Sequence, residues 1–289
     1  MDLVNHNVEH VADEVFVVLS DLHANARALR AALALVYNEP FDHLVILGDL
    51  LTYGCEIDEV IEMVGDAQRS HRAALIVGNH DQLYFDLARG VRDYYATLPD
   101  WLRETVDHTF ERLDIRALRD GLSWSLEHAA GDILFSHANP YEPADWSYLN
   151  SDADHLRAAT RLTERGYRVG VFGHTHRRRS YFRSRAGAAY FGRGENQTFT
   201  HTDLADAALV LNPGSLGQPR ESDGRTTFLR MHRHDDRLDV DFVNVEYDVA
   251  GHVQSVQSST MSDGTKRRLC SFFAPARGCQ DSPAGARPQ

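Results

Sequence analysis

Five short blocks of this sequence place metal-binding side chains directly after hydrophobic segments that are typical of β-strands. Imidazole, carboxylate and amide groups together, without thiolate, favour manganese, iron or zinc over calcium. The repetition therefore predicts a hydrolase that uses two metal ions. The blocks are Ser20-Asp21-Leu22-His23, Gly48-Asp49, Gly78-Asn79-His80-Asp81, Ser136-His137 and Gly173-His174-Thr175-His176.

The geometry of strand ends indicates how these ligands are shared. Two divalent cations about 3.5–4 Å apart need an anionic bridge, and Asp49 is the natural candidate because a carboxylate has two oxygens. Asp21 and His23 lie two residues apart, so they point to the same side of an extended strand end and one ion can take both. His174 and His176 share that spacing, but a turn that splays them would let them serve different ions. Manganese is the favoured ion, with iron or zinc as alternatives.

In their order and spacing, the blocks resemble the calcineurin-like metallophosphoesterase family over roughly residues 15–245. The segments 20–25, 48–54 and 212–220 are most similar to its compact prokaryotic phosphodiesterase branch. The resemblance leaves His80 outside both metal shells as the catalytic histidine. It implies one ion bound by Asp21, His23, Asp49 and His176, and a second ion bound by Asp49, Asn79, His137 and His174.

Some positions depart from the family pattern. Ala24 and Ala138 stand where the branch often has glycine, and Cys55 stands where a proline commonly follows Tyr-Gly. None of these changes removes a ligand, although a Cβ at positions 24 and 138 narrows the space beside the metals. The Gly-Asp-x-x-Asp-Arg-Gly pattern of protein phosphatases is absent, which argues against a serine/threonine protein phosphatase.

Composition limits the class of partner. The 289 residues carry a formal net charge of −12, which argues against an electrostatic grip on long nucleic acid. Short nucleotides remain possible substrates, because two dications outweigh the surrounding acidity at short range. The first fourteen residues lack an apolar signal core and no run approaches membrane-spanning length, so we expect a cytoplasmic protein without membrane contacts. The three cysteines, Cys55, Cys270 and Cys279, have no metal-ligand spacing.

Hydrophobic periodicity predicts an α/β fold, a four-layer α/β/β/α sandwich of two mixed β-sheets flanked by helices. The predicted domain covers residues 1–250 and contains a small helical insertion at 83–121, interpreted as a cap over the site. Residues 251–289 are rich in Ser, Gly, Pro and Arg and predict a loose tail. Strands are expected near 15–20, 43–47, 73–77, 123–127, 133–136, 169–172, 179–183, 188–191, 207–211, 226–231 and 238–245, and helices near 25–36, 56–70 and 152–165.

Three groups of residues allow more than one interpretation. Asp81 either orients a ligand or caps the following helix. The run Arg177–Arg179 either meets substrate phosphate through its forked donors or is a solvated strand start. The other histidines are interpreted as surface or satisfied core residues. They are His6, His10, His43, His71, His108, His128, His155, His201, His232, His234 and His252.

The predicted reaction is hydrolysis of phosphate esters by a metal-bridging hydroxide. His80, when protonated, either donates to the leaving oxygen or stabilises charge on the phosphoryl group. A small phosphodiester or a nucleotide is the favoured substrate. The alternatives are a phosphomonoesterase or diadenosine tetraphosphate hydrolase on the same site, and a non-catalytic interaction module of the same fold. The complete ligand set argues against the interaction module, because a scaffold has no chemical need for it. The sequence does not indicate an oligomeric state.

Overall fold

The computed structural model describes residues 13–184, 189–200, 203–204, 207–235 and 237–273. Cys279 therefore lies outside the described residues. The strands are β1 (Glu14–Leu19), β2 (His43–Ile46), β3 (Ala74–Leu75), β4 (Glu127–Ala130), β5 (Ile133–Ser136), β6 (Val169–Phe172), β7 (Arg178–Ser184), β8 (Ala189–Gly192), β9 (Gln197–Thr200), β10 (Ala207–Pro213), β11 (Thr227–Arg233) and β12 (Arg237–Asn244). The α-helices are α1 (Ala26–Tyr37), α2 (Ile57–His71), α3 (Asn79–Ala88), α4 (Asp93–Thr97), α5 (Asp100–Phe110), α6 (Ile115–Asp120), α7 (Asp152–Glu164), α8 (Val249–Gln257) and α9 (Asp263–Cys270), with a 3₁₀ turn at Ser271–Phe273.

The strands form two mixed six-stranded sheets flanked by helices, as the sequence predicted. Sheet 1 has the order β3-β2-β1-β11-β12-β9, and sheet 2 has the order β4-β5-β6-β10-β7-β8. The strands β1, β2 and β3 are parallel to one another, as are β5, β6 and β10. In parallel strands the carboxyl ends meet at one edge, where ligands usually bind.

Strand alternation builds three apolar cores between the four layers. Phe16 and Val18 of β1 pack between the two sheets, whereas Val17 and Leu19 face the helices of sheet 1. A third core lies under α7 on the outer face of sheet 2 and includes Leu162. Because successive side chains of a strand point to opposite faces, a strand buried on both faces reads as a continuous hydrophobic run.

Two strand predictions need adjustment. Residues 123–127 were expected to be a strand, but β4 begins at Glu127, and Ser125 forms only an isolated bridge with Ile76. Strand β3 covers only Ala74–Leu75 of the predicted 73–77. Just beyond it, Val77 N donates a hydrogen bond to Ser125 O. The edge strand β9 was not predicted, since Gln197–Thr200 has only one buried side chain, Phe199.

The predicted loose tail is wrong for residues 251–273. Helices α8 and α9 bury Val256 and Leu269 in the core of sheet 1, together with Met261 between them. Glu104 of α5 also accepts hydrogen bonds from the hydroxyls of Ser262 and Thr265. The composition is polar because these short helices expose most of their surface, while a few apolar residues at helical spacing supply the packing. No helix in the described ranges is long and apolar enough to span a membrane.

This packing predicts that the last helix contributes to stability. Leu269→Ala should lower the free energy of unfolding by about 2–5 kcal/mol, because it removes a side chain that is only 1 % exposed and leaves a cavity. Arg267→Ala on the exposed side of the same helix is the matched control and should change stability little. Denaturant titration of both variants measures the difference. Equal and negligible effects would mean that α9 does not dock on the domain.

Candidate metal centre

The structure brings all seven predicted metal ligands to the edge where the carboxyl ends of the parallel strands of both sheets meet. Each of these side chains is at most 4 % exposed. The ligand positions follow the strand order. Asp21 and His23 follow β1, Asp49 follows β2, Asn79 begins α3 after β3, His137 follows β5, and His174 and His176 follow β6.

Five of the seven residues have left-handed backbone conformations, with φ between 47° and 66°. Such a conformation costs a non-glycine residue about 1–2 kcal/mol, so the surrounding structure must hold it. Hydrogen bonds between the turns do so, for example from His23 N to Asp49 O at 3.0 Å and from Gly217 N to Asp21 O at 2.8 Å. Strain of this kind concentrates at functional sites. The five residues are Asp21, His23, Asp49, His174 and His176.

Two glycines let these turns approach each other. A Cβ at Gly78 would lie 2.2 Å from Oδ1 of Asp49, and a Cβ at Gly173 would lie 1.9 Å from Oγ of Ser20. Both distances are far inside van der Waals contact, so only glycine fits. The glycine of each block therefore belongs to the packing of the site and not merely to a turn.

Each of the four histidines predicted to be ligands donates from one ring nitrogen to a backbone carbonyl. Nδ1 of three of them donates to a carbonyl at 2.7–2.9 Å, and His174 instead donates from Nε2 to Trp146 O at 3.0 Å. The other ring nitrogen of each histidine then points into the site. Fixing one nitrogen by such a bond is the usual way to orient a metal-binding imidazole. The three that donate from Nδ1 are His23 to Leu51 O, His137 to Leu47 O and His176 to Gln218 O.

The first cluster contains hydrogen-bond acceptors without a donor between them. Nε2 of His23 lies 3.0 Å from Nε2 of His176, and both nitrogens carry lone pairs because their Nδ1 atoms hold the protons. Oδ1 of Asp21 lies 3.4 Å from Nε2 of His176 and has no hydrogen-bond partner. Burial lowers the pKa of His23 to about 3 and that of His176 well below its usual value, so a proton does not fill this gap near neutral pH. A cation resolves the repulsion of these lone pairs.

The second cluster lies around His137. Its Nε2 is 3.1 Å from Oδ1 of Asn79, 3.2 Å from Nδ1 of His174 and 3.5 Å from Oδ2 of Asp49. Burial opposes a charge on His137, but the carboxylates of Asp49 and Asp21 raise its pKa to about 9. Without a metal ion, a proton on His137 thus offsets part of the negative charge of the site.

Asp49 lies between the two clusters. Its Oδ2 is 3.8 Å from Nε2 of His23 and 3.5 Å from Nε2 of His137. Its Oδ1 is occupied by the backbone N–H of His80 at 2.8 Å. Asp81 in turn accepts hydrogen bonds from the backbone N–H groups of Asp49 and Gly78, so it both orients this turn and caps α3. Buried carboxylates and imidazoles in two groups that share Asp49 suit divalent metal ions.

His80 lies beside the clusters and is 5 % exposed. Its Nε2 is 3.3 Å from the hydroxyl of Tyr53, and its Nδ1 has no hydrogen-bond partner in the described part of the chain. Burial lowers the pKa of His80.

Arg220 is a site residue that the sequence analysis missed. Its Nη2 lies 3.1 Å from Oε1 of Gln218 and 3.5 Å from the hydroxyl of Tyr53. Burial and then the charge of Arg220 lower the pKa of His176. Among the residues that the structure describes, no ion pair joins Arg220 to a carboxylate. Its position at the end of the segment 212–220, which resembles the family, was the available signal.

The arginines of the run Arg177–Arg179 differ from Arg220 in their partners. Arg178 pairs with Asp223, and Arg179 pairs with Glu221 at 2.9 Å. Arg177 is exposed. The two paired arginines already have carboxylate partners, which makes them less suited than Arg220 to hold an anion.

The helical segment around α4 contacts the site through one of its two adjacent tyrosines. The hydroxyl of Tyr94 is 3.4 Å from Nδ2 of Asn79, whereas Tyr95 donates to Asp107 at 2.8 Å. Across the site, Tyr148 stacks on the ring of His174 with a centroid distance of 3.9 Å. Tyr94 is 43 % exposed and Tyr148 is 45 % exposed, so both offer ring surface to a ligand. A cap function of residues 83–121 stays a prediction.

The segment 212–220 joins the turns of the two sheets. Asn212 donates to Gly173 O at 2.6 Å, and the hydroxyl of Ser215 donates to Asp21 O at 2.9 Å. The backbone carbonyl of Gln218 accepts from His176, as described above. This loop therefore forms a wall of the site.

Comparison with known proteins identifies the family. Residues 15–236 match the family described as the calcineurin-like phosphoesterase superfamily domain. The chain belongs to this family. Its buried His/Asp clusters and its fold agree with a hydrolase of phosphate esters that binds divalent metal ions.

Relatives of similar length are known from other organisms. An uncharacterised protein of Methanocaldococcus jannaschii is 27 % identical over 261 residues, which cover 88 % of this chain and 97 % of that protein. The crystal structure of a metallophosphoesterase from Sphaerobacter thermophilus has a TM-score of 0.68 at 23 % identity and covers 90 % of this chain and 99 % of its own. A hypothetical protein from Pyrococcus horikoshii has the same TM-score at 19 % identity, with 91 % and 98 % covered. The two structures are similar in fold.

The position of Asp49 predicts a shared ligand. Loading with a transition metal should place close to two equivalents at this centre, and Asp49→Asn should lose them together with activity because a neutral amide bridges poorly. The loss of affinity should be at least the roughly 10–100-fold that follows from removing a group that only orients a ligand. Metal analysis after gel filtration measures this, with the exposed Asp66→Asn on α2 as control. Full activity in exhaustive chelator would contradict the metal site.

Proposed function

We propose that this protein hydrolyses phosphodiesters, with small diesters and nucleotides as its substrates, and that it uses two divalent transition-metal ions. The observation that carries the proposal is the meeting of three acceptors without a donor, Asp21 Oδ1 and the Nε2 atoms of His23 and His176. Buried lone pairs at this distance repel unless a cation lies between them. A bound metal ion gives this arrangement a physical reason.

The assignment of ligands follows the two clusters. We assign Asp21, His23 and His176 to one ion and Asn79, His137 and His174 to the other, with Asp49 shared by both. The donor set of imidazole, carboxylate and amide favours Mn²⁺, with iron or Zn²⁺ as alternatives. When bound, such ions supply Lewis-acid activation of the phosphoryl group and a nucleophilic oxygen at neutral pH.

The side chains of the protein provide the other parts of the reaction. His80 stands next to the clusters without belonging to the ligand set, and we assign to its imidazolium form the transfer of a proton from Nε2 to the leaving oxygen, which leaves the imidazole neutral. Tyr53 holds that nitrogen through its hydroxyl at 3.3 Å. The low exposure of the ligand residues limits the access of water to the reacting groups and strengthens their electrostatic interactions.

Arg220 is assigned to the substrate phosphate. A guanidinium without a carboxylate partner attracts an anion, and its planar fork matches two phosphate oxygens. Gln218 and Tyr53 fix the direction of this fork with neutral oxygens, so its charge remains available.

A diester fits the surroundings better than a monoester. A diester has a second ester arm that carries no charge, and this arm has to lie beside the metal ligands. The exposed rings of Tyr94 and Tyr148 offer it an apolar surface on two sides. The alternative of a phosphomonoesterase or diadenosine tetraphosphate hydrolase uses the same ligands and differs only in what these rings contact. A cytoplasmic location also stays a prediction.

A substrate panel tests the reaction. Bis-p-nitrophenyl phosphate should be hydrolysed with a higher kcat/KM than p-nitrophenyl phosphate, and cyclic nucleotides and diadenosine tetraphosphate identify the class of leaving group. His80→Ala should keep its metal but lower turnover by roughly 10²–10⁴-fold, and less for good leaving groups. A preference for the monoester would overturn the diester proposal. Absence of turnover on every substrate at full metal occupancy would favour the interaction module.

Arg220→Gln should raise KM and lower kcat/KM by about 10–100-fold, the effect of losing a charge-assisted hydrogen bond of about 1.5–3 kcal/mol. Arg220→Lys should recover only part of this, since an ammonium has no fork. The inhibition constant of inorganic phosphate should rise in parallel, while metal content stays unchanged. Arg225→Gln changes the net charge equally at an exposed position and is the control. Unchanged phosphate inhibition in Arg220→Gln would remove this residue from the substrate site.

A further inference from the structure

A second group of metal-binding side chains lies at the opposite end of sheet 1. Asp13 immediately precedes β1, and His232 and His234 are at the end of β11 and just beyond it. One donor atom from each of the three residues lies within 4.8 Å of those of the other two. Strand β1 runs from this cluster to Asp21, so at about 3.3 Å per residue the separation from the catalytic edge is about 25 Å.

The register of the sheet, and not a loop, brings these residues together. Strands β1 and β11 are antiparallel, with Val15 opposite His232 and Glu14 opposite Arg233. Continuing this register places Asp13 opposite His234. Because alternate residues of a strand share a face, all three side chains project from the same side of the sheet. The rings of His232 and His234 lie next to each other, with centroids 3.8 Å apart.

His234 is oriented by a neighbouring carboxylate. Its Nε2 lies 2.9 Å from Oδ2 of Asp239 on β12, and the other oxygen of Asp239 accepts from the hydroxyl of Thr198 at 2.7 Å. A proton on Nε2 leaves the lone pair on Nδ1, which is 3.7 Å from Oδ1 of Asp13. A carboxylate that holds the far nitrogen of a histidine is the arrangement that orients metal-binding imidazoles.

We propose that Asp13, His232 and His234 bind a Zn²⁺ ion that is separate from the catalytic metals. Two imidazoles and one carboxylate form a common zinc donor set. The side chain of Asp13 is 68 % exposed and can rotate to shorten its distances to the two rings. The bound ion joins the start of β1 to the hairpin of β11 and β12. Its distance from the catalytic edge separates it from the reacting groups.

Zinc stoichiometry tests the proposal. Full-length wild-type protein and the variant His232→Asn/His234→Asn are dialysed against micromolar free Zn²⁺, and bound zinc is measured per chain. The double variant should bind one equivalent less than wild type, with unchanged hydrolytic activity. Asp239→Asn should keep the site but weaken it by roughly 10–100-fold. His71→Asn removes an exposed histidine of α2 and should bind as wild type does.

The difference between wild type and variant separates this site from the proposed catalytic one. If the catalytic cluster bound no metal, wild type would bind one equivalent and the double variant none. Equal zinc content in both proteins would overturn the proposal and would leave His234 as a histidine held between Asp13 and Asp239. Asp13→Asn provides a second variant in case the double variant fails to fold, because this exposed residue precedes the strand. Full zinc content in Asp13→Asn would contradict its role as a ligand.

Discussion

The orientation of four imidazoles by backbone carbonyls is the interaction on which the rest of this site depends. Each carbonyl holds one proton on one ring nitrogen and thereby directs the other nitrogen into the site. On His23 and His176 that nitrogen carries a lone pair. The carbonyls lie in loops that follow β2, β5 and β10, and the bond from His137 of sheet 2 to Leu47 O of sheet 1 joins the two sheets directly. The resulting repulsion between buried lone pairs disfavours the metal-free site. The folding energy of the two sheets thus preorganises the metal site.

The packing of the two sheets also stabilises the strained backbone of the ligand turns. Left-handed conformations at Asp21, Asp49 and His174 each cost free energy, and an isolated peptide would avoid them. Large apolar cores on both faces of each sheet provide the stabilisation that offsets this cost. Ala24, where the family branch often has glycine, has φ of 48° and is fully buried. The Cβ at this position is thus accommodated, although its backbone conformation is one that glycine adopts more readily.

The sequence predicted the fold and the grouping of the candidate ligand residues at one edge, because both depend on local patterns. Buried strands read as apolar runs, and each ligand block directly follows one of them, so the edge that carries the blocks could be deduced from strand direction alone. The weaker predictions concern elements with little local signal. Strand β9 buries one side chain, and the short helices α8 and α9 bury only a few residues, so their composition resembles that of a loop. Their structure comes from docking on the rest of the domain.

The sequence by itself determined which chemical groups are present, their order along the chain and the family to which they belong. Only the tertiary structure decided which of the arginines faces the site: Arg220 has neutral partners, whereas Arg178 and Arg179 are paired with acidic residues. It also decided that Tyr94 contacts Asn79 of the site, whereas Tyr95 bonds to Asp107. It placed His232, His234 and Asp13 together on one face of sheet 1. The reason is physical. Ion pairs and ring contacts join residues that are distant in the chain, and no local pattern records which partner a long side chain reaches.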